Sequence, residues 1–373
     1  MKPSASRVQH AATAPSAAPP GVVVAHSPKS EGLYIGSPSV CILPNGDYIA
    51  SHDLFGPASR EHQSATARIY RSASRGLRWE LVAELEGQFW SGLFVHGGAL
   101  YLMGTDKHYG NLVIRRSTDG GRTWEKGIVR EGRYHTGPVP VLHYNGRIWR
   151  AVEKAEGDPE LWSRMMSAQL LHAPEDADLL QSASWQENEA LPYDASLLRG
   201  QFQGWLEGNA VPAPDGDVWN LLRVHHPQDT GKELAAIVQP GGNIVFTDFP
   251  GGGKKFSVRY DAASARYWTI ANYVPETYRH STPLDKVRNT QALCSSADLL
   301  HWELHSIVLH HPDPLHHGFN YADWQVDGDD LIFVCRTAYD DETGGAESFH
   351  NANYLTFHRI PQFRNIQALN TGS

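Results

Sequence analysis

Ser117-Thr-Asp119-Gly-Gly121-Arg-Thr123-Trp124 is the stretch on which the fold turns. It reads S-x-D-x-G-x-T-W. Short Ser and Asp side chains close tight turns by bonding nearby backbone N–H groups, and the glycine permits the turn itself. The tryptophan at the end suits a strand that packs against a neighbour. The frame returns in degraded form. Ser72–Trp79 keeps the Ser, Gly and Trp, Ser296–Trp302 is one residue shorter, and Ser182–Trp185 is a remnant. Copies recurring at intervals of tens of residues mark a repeat architecture.

Tight-turn pairs lie between these copies, at Asn45-Gly46, Gly97-Gly98, Asn145-Gly146, Asp215-Gly216 and Asp327-Gly328. Such pairs allow positive φ at both central residues, which matches the twist of paired strands. Each is flanked by apolar, β-prone runs such as SVCIL, ALYLMG, VWNLLRV and LIFVCR. Six units follow, beginning near Ile35, Phe89, Tyr134, Trp205, Phe256 and Phe319. The fifth turns at Asp261–Arg266 in place of a glycine pair. Val22–His26 is expected to add an outer strand to the last unit, which removes the open edges of the ring. The one helical candidate is ELWSRMMSAQLL, 160–171. The prediction is an all-β, six-bladed β-propeller over residues 21–373, a single domain after an Ala/Ser/Pro-rich tail at 1–20.

The formal net charge is −9, from 32 Lys+Arg and 41 Asp+Glu, so the basic footprint of a nucleic-acid-binding protein is missing. An acidic ligand would have to be held by a few local arginines. Cys41, Cys294 and Cys335 sit far apart in apolar runs and read as buried free thiols. No metal and no cofactor are expected. No run approaches a membrane span. The tail lacks the apolar core of a secretory signal, which makes the cytoplasm the expected address.

The S-x-D-x-G-x-T-W repeat resembles the Asp-box of the sialidase (neuraminidase) superfamily, and the resemblance runs over roughly residues 25–365. It implies the six-bladed fold and marks that fold without proving activity. A second likeness lies in Trp205–Arg223, where Glu207 enters a strand and Arg223 closes the hairpin. By resemblance, Glu207 is the base for a tyrosine nucleophile and Arg223 one of three arginines gripping a substrate carboxylate. Arg288 is the candidate second arginine. Tyr321, at the start of the last unit, stands where that family carries its nucleophile. Asp53 is the nearest match to the family's acid. One departure is plain. The family opens its first blade with Arg-Ile-Pro, whereas this chain reads Tyr34-Ile-Gly36-Ser37-Pro38. A glycine replaces the first arginine, so a strict sialic acid hydrolase is not expected.

The residues themselves widen the candidate set. His52 beside Asp53, and His135, are further proton carriers, because an imidazole titrates near neutral pH. Arg336 ends a strand of the last unit and competes with Arg288 for an anion. Asn209 follows Glu207 closely and is a candidate substrate contact. Trp90, Trp205 and Trp324 are candidate sugar-stacking platforms. Gly251–Gly253 reads as a plain connection, since no phosphate-loop pattern surrounds it. The first expectation is a sialidase-like glycoside hydrolase removing a terminal acidic sugar. The alternatives are a uronate lyase using His135, Tyr321, Arg223 and Arg288, and a non-catalytic glycan-binding propeller.

Overall fold

Alternating buried runs and tight turns build six antiparallel sheets of four or five strands in a computed structural model that describes residues 18–226, 233–279 and 283–369. Most of the 1–20 tail lies outside the described residues. Blades 1 to 5 begin at Tyr34, Phe89, Tyr134, Gly204 and Ser257. Blade 6 runs from Gly318 to Ile360, and Val22–His26 pairs with Tyr354–Phe357 as its outermost strand. The ring is thus closed by the chain's own beginning, which leaves no unpaired edge between first and last blades. Among the described residues no helix is long and apolar enough to cross a membrane.

Each seam between blades is an apolar core. Tyr48, Ile332 and Phe357 pack blade 6 on blade 1, and Trp268, Trp324 and Phe333 pack blade 5 on blade 6. Trp205 and Trp324 have no exposed surface. They are core residues and not sugar platforms. The 160–171 stretch is not a helix. A short 3-10 turn ends at Met165, and Met166–Pro174 is a strand buried between its neighbours. The three cysteines are buried free thiols.

The turn ends follow the sequence. Gly97-Gly98 and Asn145-Gly146 take positive φ at both positions, whereas the Asn45, Asp215 and Asp327 turns do so only at glycine. In the 117–124 turn, Asp119 accepts N–H bonds from Arg122 and Thr123, and the Trp124 indole donates to Gly121 O at 2.8 Å. All this lies at one end of the blades. At the other end, the inner strands of blades 2, 4 and 6 are irregular.

Candidate active site

The inner strands of blades 2, 4 and 6 share one irregularity at their entry. Pairing slips between Phe89 and Gly92, between Leu206 and Asn209, and between Asn320 and Asp323. The first residue inside each slip has a positive φ: Trp90 at 49°, Glu207 at 48° and Tyr321 at 60°. Such bulges normally place glycine there, since a side chain in that region costs about 1–3 kcal/mol. Strain of this kind persists only where the surroundings over-determine it. A bulge also re-aims its side chain. Here it brings Glu207 against Tyr321, Arg223 and His135.

Each bulge is held by one buried charged side chain. The Trp90 N–H donates to Asp53 Oδ2 at 2.6 Å, and Asp53 Oδ1 accepts the Ser37 N–H at 2.8 Å. The Gly208 N–H donates to Glu153 Oε1 at 3.0 Å, while Glu153 Oε2 lies 2.7 Å from His135 Nδ1. Lys255 Nζ donates to Tyr321 O at 3.3 Å, Ala322 O at 3.0 Å and Ser257 Oγ at 2.7 Å. Its three protons are therefore satisfied by neutral acceptors, and burial pushes its pKa down to about 8.

Glu207 and Arg223 form a buried ion pair at 2.9 Å. Burial alone would raise the Glu207 carboxyl, but Arg223, His135 and the Tyr321 hydroxyl outweigh it and hold it below its ordinary value. Burial and the Glu207 charge push the Tyr321 phenol up, against the pull of Arg223, Arg288 and Arg336. The three guanidiniums share one mounting. Arg223 Nε donates to Gly253 O at 2.9 Å, Arg288 Nε to Asp285 O at 3.0 Å and Arg336 Nε to His350 O at 3.1 Å. A neutral carbonyl fixes each group without cancelling its charge. Burial lowers Arg288, with Arg223 as the next cause, and burial pushes Arg336 down to about 10. Arg223 is neutralised by Glu207, whereas no carboxylate pairs with Arg288 or Arg336 among the described ion pairs.

Gly36 is glycine for a physical reason. A Cβ there would lie 1.6 Å from Asp53 Oδ1. The Asp53 carboxylate occupies the space, and burial pushes its pKa up. Arg336 instead reaches in from blade 6, its guanidinium 4.6 Å from the Phe55 ring of blade 1 and 5.3 Å from the Tyr321 ring.

Of the candidates read from the sequence, the fold gathers Glu207, Tyr321, Arg223, Arg288, Arg336, Asp53, His135 and Trp90 at one end of the axis. Two are corrected. His52 lies on the opposite face of its strand from Asp53, stacked on Tyr70, and burial pushes it down to about 4, so it is a neutral packing residue. Asn209 has no exposed surface and spends its amide on the carbonyls of Glu207 and Phe256 and the Val258 N–H. It ties blade 4 to blade 5 and cannot reach a ligand. Sequence reading missed Glu153, Lys255 and Gly253. Glu153 and Lys255 were visible only as charges beside apolar runs. Gly253 belongs to a loop that approaches so closely that a Cβ on Gly252 would sit 2.3 Å from Leu234 O.

No family model matches this sequence, and none of the curated proteins matches it either. Solved structures do match in fold. The Penicillium chrysogenum α-L-arabinanase aligns at 13% identity over 93% of this chain and 99% of its own, with a TM-score of 0.58. A Hadza microbial sialidase aligns at 14% over 91% of this chain and 68% of its own, TM-score 0.62. The leech intramolecular trans-sialidase aligns at 11% over 94% and 71%, TM-score 0.60. The class is therefore defined: this chain has the sialidase-like six-bladed β-propeller fold, which arabinanases and sialidases share.

Proposed function

We propose that this protein is a glycoside hydrolase that removes a terminal acidic sugar, with net retention at the anomeric carbon. The observation that carries this reading is the cluster of three guanidiniums, each pinned through Nε to a backbone carbonyl, around a Tyr–Glu pair. Guanidiniums mounted in this way offer charge-assisted bonds to a carboxylate. A neutral phenol can approach a carbon next to that carboxylate without like-charge repulsion. In the first step Tyr321 Oη bonds to the anomeric carbon and passes its proton to Glu207. The glycosidic C–O bond breaks, and the leaving oxygen takes the proton of Asp53, whose raised pKa suits an acid. Water then attacks the glycosyl-tyrosine: its OH bonds to the anomeric carbon, its other proton goes to Asp53, and the bond to Tyr321 breaks as the phenol regains from Glu207 the proton it gave up. The balance is one water consumed per bond cleaved.

Arg336 is the residue that adapts the site. It supplies from blade 6 the third positive charge that Gly36 cannot supply from blade 1. The acidic group should therefore sit closer to blade 6 than a blade 1 arginine would draw it. Mass analysis of products from a panel of sialosides, uronides and neutral arabinosides tests the reading. Acidic glycosides should yield products heavier by one water, with at least about a 10³-fold loss in Tyr321→Phe. Arg336→Ala should raise KM for acidic substrates about 10- to 100-fold, with Arg336→Lys only partly restoring it. Unsaturated products, or turnover of neutral arabinosides alone, would overturn it.

A further inference from the structure

Beside the arginines the mouth has a second wall, built from aromatic rings on blades 2 and 3. Trp90 meets His135 at 4.5 Å and His108 at 4.8 Å, and His108 meets Tyr109 at 4.3 Å. Trp162 extends this wall from the loop after the second strand of blade 3. Its indole lies near enough to the Tyr109 hydroxyl to lower that group's pKa against its burial, and it meets His225 edge-on at 5.0 Å. The guanidinium of Arg133 supports the Tyr109 ring at 6.0 Å.

Two independent features single the wall out. Trp162 is 45% exposed, a large apolar surface given to solvent. Trp90, Tyr109 and Trp162 also all have positive φ, at 49°, 51° and 22°. Three bulky residues thus stand on one wall in a region of φ that disfavours them. Burial holds His108 and His225 neutral, each pushed down to about 4. The wall thus presents apolar ring faces with the neutral imidazoles of His108 and His225, where its neighbour presents guanidiniums.

We propose that Trp162 and Tyr109 form a subsite for the leaving group, on which a neutral pyranose stacks its C–H face. This rests on the reading of the arginine wall as the place of the acidic sugar. The direction follows from Asp53. The carboxyl that protonates the leaving oxygen is bonded to the Trp90 N–H, so the leaving group departs on the aromatic side. The enzyme would then prefer an acidic sugar linked to a neutral sugar over the same sugar linked to methanol.

Saturation-transfer NMR with lactose and methyl β-galactoside as neutral probes, and N-acetylneuraminate and glucuronate as acidic ones, separates the two walls. Neutral sugars should show saturation on one C–H face, with affinity about tenfold weaker in Trp162→Ala, less so in Trp162→Phe, and unchanged in Arg336→Ala. Acidic monosaccharides should show the reverse pattern. Equal neutral-sugar signals in wild type and Trp162→Ala, or none in wild type, overturn the subsite. If acidic sugars fail to bind while lactose still depends on Trp162, the arginine reading fails and the subsite stands.

Discussion

Blades 4 and 6 carry the same backbone device and hold it with opposite charges. Each inner strand bulges at its entry and throws one polar residue, Glu207 or Tyr321, into the left-handed region. Under blade 4 the anion Glu153 accepts the Gly208 N–H, and under blade 6 the cation Lys255 donates to the Tyr321 and Ala322 carbonyls. Blade 2 repeats the arrangement with Asp53 under Trp90. The bulge is a common part, and the buried charge beneath it is what gives each blade its own chemistry. Glu153 also orients His135, Lys255 touches only neutral acceptors, and Asp53 is the proton donor of the proposed reaction.

The largest expected effect breaks the blade 2 member. Gly36→Ala puts a methyl where Asp53 Oδ1 stands, so the carboxylate must swing out and release the Ser37 and Trp90 N–H groups. The variant should lose about 10²–10⁴-fold in kcat on natural glycosides, the range for removing a general acid. Asp53→Ala should lose as much, and the double variant no more, because both remove one function. With a nitrophenyl glycoside, whose leaving group needs no proton, the loss should shrink towards wild type. The sign with pH is fixed by the same group. A carboxyl raised by burial acts as an acid below its pKa, so the wild-type rate falls as pH rises through it, and Gly36→Ala should lack that limb. An equal loss on both substrates would assign Asp53 to holding Trp90 alone.

A smaller effect separates blade 4. Glu153→Gln keeps shape and can still bond one partner, but it cannot accept from both Gly208 N–H and His135 Nδ1 with full charge. A group acting through others usually costs about 10- to 100-fold when altered. The loss should appear in kcat with KM nearly unchanged, and the NMR signal of the His135 ring, whose Nδ1 lies 2.7 Å from Glu153, should move as that carboxylate is replaced. An unmoved His135 signal would leave Glu153 a purely structural residue.

How much of this was legible depended on the end of the blade. The turn end is local chemistry. Asn145-Gly146 and Ser117–Trp124 state their geometry within a few residues, and the six blade starts fall within one residue of where the sequence put them. The closing strand Val22–His26 was legible too, because an odd β-run before the first hairpin needs a partner. The site end is not local. Nothing in Phe89-Trp90-Ser91, Leu206-Glu207-Gly208 or Asn320-Tyr321-Ala322 announces a bulge, since glycine, the usual signal, is absent from the strained position. His52 and Asp53 alternate on one strand, and sequence alone does not say which faces the axis. Gly36 read as a missing arginine. Its cause is a carboxylate seventeen residues on, and its counterpart, Arg336, comes from another blade.

The smallest effect sharpens the comparison at blade 6 and is read in stability. Lys255 is nearly unexposed, and burial lowers its pKa from the ordinary 10.5 to about 8. The folded protein therefore binds fewer protons here than the unfolded chain between those two values. Stability tied to this group rises with pH across that window, because the penalty for burying the charge is full below pH 8 and gone once the unfolded lysine also loses its proton. The difference in unfolding free energy between wild type and Lys255→Met, measured by denaturant from pH 7 to pH 10, should change by about 2 kcal/mol in favour of wild type at the alkaline end. Glu153→Gln should show no such trend in that range, since a carboxylate does not titrate there. A flat difference for Lys255→Met would mean that its three hydrogen bonds keep the ammonium charged despite its burial. The blade 6 bulge would then be held as firmly by a cation as the blade 4 bulge is by an anion.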